Sequence, residues 1–146
     1  MATQSQLDTL IELAKRDCDA AAKRLGVAIR AVAEAEEKRV MLIGYRDEYA
    51  RRFEAAQAAG ITPMAYRNFQ AFMGKLENAI TGQQEVLRHA ELRSAQEKLA
   101  WQASERKRMS YTTLSDRAAA EALRLEGKRD QKQTDEHAAR QAYYKR

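Results

Sequence analysis

Residues 58 to 66 read "AAGITPMAY", and the only proline of the chain lies inside them. Gly60 suits the position just past a helix end, where a left-handed backbone carries no Cβ penalty. Thr62 is placed to cap a following helix and Pro63 to open it, because the first helical residue needs no N–H partner. Ile61 and Tyr66 stand at the two positions of a hydrophobic staple. One helix ends here and another begins.

Working outward, residues 4 to 58 contain neither proline nor a β-branched run, and a helix over that stretch would span ~80 Å. Residues 63 to about 125 also lack an interior proline; Gly74 and Gly82 weaken a helix by ~1 kcal/mol each without ending it. Helices of this length need cover for their apolar stripe. The expected fold is therefore all-α, a long antiparallel two-helix coiled-coil hairpin with a C-terminal helical overhang. Its parts are helix 1 over about 4–58, a turn over 59–62 and helix 2 over about 63–140, in a single domain covering 1–146.

Composition agrees. Charged residues make up 32% of the chain and aromatics 7%, the balance of long helices rather than of a layered core. The formal charge is +5, yet acidic and basic residues are interspersed as on a solvated helix surface, so no nucleic-acid partner is expected. Cys18 is the lone cysteine, which excludes an intrachain disulfide and a thiolate metal cluster. No h-region opens the chain and no apolar run approaches ~20 residues, so neither a signal peptide nor direct membrane insertion is expected. The expected location is the cytoplasm.

Catalytic chemistry has no foothold. His89 follows Glu85 by four residues, a common helix-surface pair. Asp135, Glu136 and His137 fall on different faces of a helix and do not form a ligand set. There is no glycine-rich phosphate loop. No catalytic residue, cofactor or metal is expected.

At 100° per residue, Leu25, Ile29, Val32, Val40, Ile43 and Ala50 lie within roughly 40° of one line on helix 1. Phe69, Met73, Leu76, Ile80 and Leu87 do the same on helix 2. Farther from the turn the seam becomes alanine-rich, with Ala14, Ala21 and Ala28. On this reading Ile43 points inward, while Leu42, Tyr45 and Tyr49 sit roughly 100–160° away as a second, flanking stripe. A turn at Gly60–Ile61 pairs positions whose numbers sum to 121. Leu42 then stands level with Ala79, Tyr45 with Leu76 and Tyr49 with Phe72. Their merged apolar face is expected to bind a partner, since such patches on soluble proteins mark interaction sites.

The same rule pairs Leu7 with Leu114 and residue 1 with position 120, leaving residues 121–146 without a first-helix partner. That overhang carries Leu123, Leu125, Tyr143 and Tyr144 among charges. It either extends as one helix of up to ~39 Å or frays beyond Gly127. A free basic tail and a segment ordered by insertion into another protein both fit it.

The chain resembles the FliJ family of flagellar export proteins along nearly its whole length. The residues that carry the likeness are Leu7 and Leu10, "MLIGYRDEY" at 41–49, "FQAFMGKLENAI" at 69–80 and "RDQKQTDEHAAR" at 129–140. The resemblance implies a non-enzymatic antiparallel coiled coil, similar to the central stalk subunit of rotary ATPases. It further implies insertion into the flagellar export ATPase hexamer with promotion of its assembly, contact with the export-gate membrane protein FlhA, and assistance to export chaperones of minor filament components. Peripheral association with the inner membrane through that apparatus follows.

The family's gate-binding patch falls on Leu42, Tyr45, Tyr49, Phe72, Leu76 and Ala79. Two rim positions depart, with Lys38 where glutamine is usual and Gln83 where histidine is usual. The ends implied to face the ATPase ring carry Leu7, Leu10, Ile11, Leu123, Leu125, Arg129, Asp130 and Lys132. A holdase chaperone and the stalk protein of a virulence secretion system are the alternative readings.

Overall fold

The computed structural model describes residues 3–145 as two α-helices, α1 (Gln4–Ala59) and α2 (Pro63–Tyr144), with no strand among them. The expected pairing of residue 1 with position 120, and residue 146 of the overhang, lie outside the described residues. Helix α2 runs through Gly127 without a break and ends four residues beyond the expected 140.

The turn follows from local chemistry. Gly60 adopts a φ of 95°, and its N–H donates to the Gln57 carbonyl at 3.1 Å, closing α1 as a left-handed C-terminal residue does. Thr62 Oγ1 accepts from the Ala65 N–H at 3.1 Å and so caps α2. Tyr66 turns its ring to Phe53, centroids 5.7 Å apart. At the other end of α1 a reciprocal capping box appears: the Gln6 N–H donates to Thr3 Oγ1 at 3.2 Å and the Thr3 N–H to Gln6 Oε1 at 2.9 Å.

The chain divides into two compact units, Met1–Asp19 with Gln102–Arg146, and Ala20–Trp101. The first packs Leu7, Ala14 and Cys18 of α1 out of solvent. Gln4 Nε2 donates to Ser115 Oγ at 3.3 Å, and the Cys18 thiol to Glu105 Oε1 at 2.7 Å. In this unit α2 residues 116–145 are exposed throughout. Local contacts such as the Thr134 hydroxyl on the Asp130 carbonyl, at 2.9 Å, decorate that stretch.

The second unit buries Ala21, Ala28 and Ala35 of α1 and Ile80 of α2. Arg24 meets Glu97 at 3.4 Å, Arg46 meets Glu77 at 3.7 Å, and Gln83 Nε2 donates to the Ala35 carbonyl at 3.0 Å. Arg24 with Glu97, and Tyr49 with Phe72, obey the sum of 121; the other cross-helix contacts of both units fall within three of it. The two helix segments of each unit are antiparallel.

One expectation about α1 needs correction. Its buried residues Leu7, Ala14, Ala21, Ala28 and Ala35 recur every seven residues, with Cys18 buried and Leu25 and Val32 half-buried between them. The same spacing brings Leu42 and Tyr49 onto the seam, where both are half-buried. Ile29 and Val40, expected inside, are 54% and 57% exposed. A step of 100° drifts ~20° per heptad from the 3.5-residue repeat that keeps wound helices face to face. Within the Ala20–Trp101 unit four repeats separate Ala21 from Tyr49, so a straight projection misplaces one against the other by ~80°. On α2 the expected seam residues Phe69, Met73, Leu76, Ile80 and Leu87 are all buried or half-buried. They span fewer residues and accumulate less error.

Candidate functional site

The six patch residues all belong to the Ala20–Trp101 unit, and the structure gives them two roles. Tyr45, Phe72 and Ala79 face outward, with Tyr45 55% and Phe72 43% exposed. Leu42, Tyr49 and Leu76 are half-buried in the seam. The stripe is thus an outer rank of three residues backed by an inner rank of three, rather than a flank wholly outside the zipper.

Tyr49 of the inner rank fixes Phe72 of the outer one. Tyr49 lies against Phe72 with centroids 4.5 Å apart and stacks on Phe69 at 5.2 Å with 4° between the planes. Phe69 in turn stacks on Phe53 at 3.6 Å. Rings in such contact contribute ~0.5–1.5 kcal/mol per pair beyond their buried area, and the series holds the Phe72 ring where it meets solvent. Tyr45, Glu48, Tyr49, Arg52 and Phe72 enclose a shallow hollow of about 170 Å³.

Of the two rim positions, Lys38 is exposed. Gln83 is not free in the same way, because its amide is engaged on the Ala35 carbonyl inside the helix pair. At the other expected surface, Leu7 is buried and Leu10 and Ile11 are half-buried, so these three serve the packing of their own unit. Leu123, Leu125, Arg129, Asp130 and Lys132 are exposed on α2. Their uncovered leucines are the apolar surface available on that stretch.

Several titratable groups are engaged in ion pairs and hydrogen bonds. The hydrogen bond to Glu105, helped by burial, raises the Cys18 thiol above its ordinary pKa. The same bond, then Arg108, lowers the Glu105 carboxyl. A protonated buried thiol is a poor nucleophile. Glu85 is lowered by its hydrogen bond from Arg88, with His89 a minor contributor. Among the described residues no three His, Cys, Asp or Glu side chains gather as a metal site. No described helix is long and apolar enough to cross a membrane.

One signal in the sequence was missed and one was read too lightly. Thr3-x-x-Gln6 is a legible capping box, and the seven-residue alanine series, placed in the seam only far from the turn, marks it more faithfully than the larger aliphatics do.

Paired antiparallel helices with an aromatic face beside their seam define an all-α protein of the coiled-coil class. The sequence profile described as "Flagellar FliJ protein" matches residues 3–146. The flagellar FliJ proteins of Escherichia coli (strain K12) and Salmonella typhi are each 34% identical over 145 residues, covering 99% of this chain and 99% of theirs. The chain belongs to the FliJ family. It is a component of the flagellar export apparatus and not an enzyme.

Proposed function

We propose that this protein serves as the coiled-coil stalk of the export ATPase, docking through its aromatic face on the export-gate membrane protein FlhA. In this reading the uncovered stretch of α2 enters the ATPase hexamer and promotes its assembly. The protein also assists the cycling of export chaperones of minor filament components, and is held at the cytoplasmic side of the inner membrane by these contacts.

The observation that carries the docking is the outer rank of Tyr45, Phe72 and Ala79 on a floor of stacked rings. Rigid aromatic anchors with little side-chain freedom left to lose are the residues that dominate interfaces. Support for insertion comes from residues 116–145, whose helix has no tertiary cover. Most helical stability in proteins comes from packing of an apolar face, which this stretch lacks, and a partner that covers Leu123 and Leu125 would stabilise it.

The test of docking is Tyr45→Ala combined with Ala79→Glu, two exposed positions whose change leaves the seam intact. Affinity for the purified cytoplasmic part of the export-gate protein, measured by calorimetry, is expected to fall at least ~100-fold, as for loss of a central anchor. Unchanged affinity with unchanged helicity would remove the face from the account.

A further inference from the structure

The gate-facing hollow has a neighbour. Phe53, Ala56, Ile61, Ala65 and Phe69 surround a second depression of about 220 Å³ at the turn. Tyr49 and Arg52 line both depressions. We propose that the docking surface continues into this second hollow, with Arg52 on the shared rim receiving a carboxylate of the export-gate protein that lies between two apolar side chains of that protein. The proposal rests on the docking reading above and adds to it a subsite and a sequence preference in the partner.

Size argues for side chains as the occupants. Small-molecule sites run to ~300–1,000 Å³, and each hollow falls below that range while offering room for one apolar side chain. The floor is already ordered: Tyr66, Phe53, Phe69, Tyr49 and Phe72 form an unbroken series of ring contacts from the turn to the gate-facing face. Little freedom remains to be lost there on binding. Ala56 and Ala65 keep the second hollow open, since neither side chain reaches beyond a methyl group.

Charge selects the residue between the two anchors. Arg52 is bound only to Glu48, Nη2 to Oε1 at 2.9 Å, and both side chains are more than half exposed. Such a pair is weakly held in water. Glu48 engages Nη2 alone, so when a partner seated across both hollows withdraws water from the guanidinium, its remaining N–H groups still require an acceptor with matching geometry. A carboxylate meets that need with two parallel N–H···O bonds.

The experiment measures affinity for the purified cytoplasmic part of the export-gate protein, with helicity checked for each variant. Ala65→Leu fills the second hollow from the surface, and Arg52→Glu reverses the rim charge. Each is expected to weaken binding by roughly tenfold or more, with Arg52→Lys falling between wild type and Arg52→Glu. If both bind as wild type while Tyr45→Ala with Ala79→Glu does not, the second subsite is overturned and the docking face stands. If Ala65→Leu weakens binding and Arg52→Glu does not, the carboxylate assignment is overturned. If the Tyr45/Ala79 pair binds as wild type, the docking reading falls and this inference with it.

Discussion

Replacing Ile80 and Val40 in turn by alanine would decide whether the seam follows the seven-residue register. Ile80 is 3% exposed, the one buried residue of α2. Ile80→Ala deletes three carbons at ~0.8 kcal/mol each, or ~2.4 kcal/mol of transfer free energy. A residual cavity adds to this, within the ~2–5 kcal/mol observed for such changes. The thin two-helix seam can close partly around the gap, so ~3 kcal/mol is expected. Val40→Ala deletes two carbons from a side chain already 57% exposed, which costs ~0.7 kcal/mol. The better helix propensity of alanine offsets most of that, ~0.5 kcal/mol, and the net change should be close to zero. Urea unfolding followed by the emission of Trp101, the only tryptophan and half-buried in the same unit, reads both variants. A drop in midpoint for Val40→Ala as large as that for Ile80→Ala would refute the register and return the seam to the straight-helix line.

Five further outcomes are expected. Gly60→Ala forces a methyl-bearing residue to a φ of 95° with no neighbour to relieve it and should cost ~1–2 kcal/mol. Gly82→Ala, inside α2 with nothing within 4 Å of the new methyl, should instead stabilise by ~0.5–1 kcal/mol in the same urea series. Cys18, buried and with its thiol pKa raised, should react with a disulfide reagent at neutral pH only after denaturant is added. The carboxyl of Glu105 is lowered on folding, chiefly by the Cys18 hydrogen bond and Arg108. Its contribution is therefore complete above the unfolded carboxylate pKa of ~4.3 and is lost as pH falls through the lower folded value. Glu105→Gln should flatten the acid limb of a melting-temperature profile below that pH and lower the neutral plateau without changing its slope. Removing residues 121–146 should leave urea unfolding followed by Trp101 unchanged but weaken assembly of the ATPase hexamer, read by sizing and ATP turnover; full stimulation by the truncated protein would count against insertion.

Much of this was legible because it is local. Gly60, Thr62 and Pro63 state the turn within four residues, since left-handed backbone, capping hydroxyl and missing N–H each act on their immediate neighbours. The absence of proline over the flanking stretches states the helices, and the position of the turn then brings Tyr45 level with Leu76, Tyr49 with Phe72 and Leu42 with Ala79. The alanines of α1 were visible too, though their seven-residue rhythm was underweighted against larger side chains.

The facing of each residue on α1 was not local. Whether Leu42 and Tyr49 lie in or beside the seam depends on a second helix more than twenty residues further along the chain, wound around the first. Winding removes a small angular error per heptad that a straight projection keeps and accumulates. The engagement of Gln83 on Ala35, of Cys18 on Glu105, and the ring series that leaves two hollows on either side of Arg52 likewise arise only when the helices meet. Helix and turn formation involve residues within about four positions of one another, whereas burial is settled by surfaces that come together from distant parts of the chain.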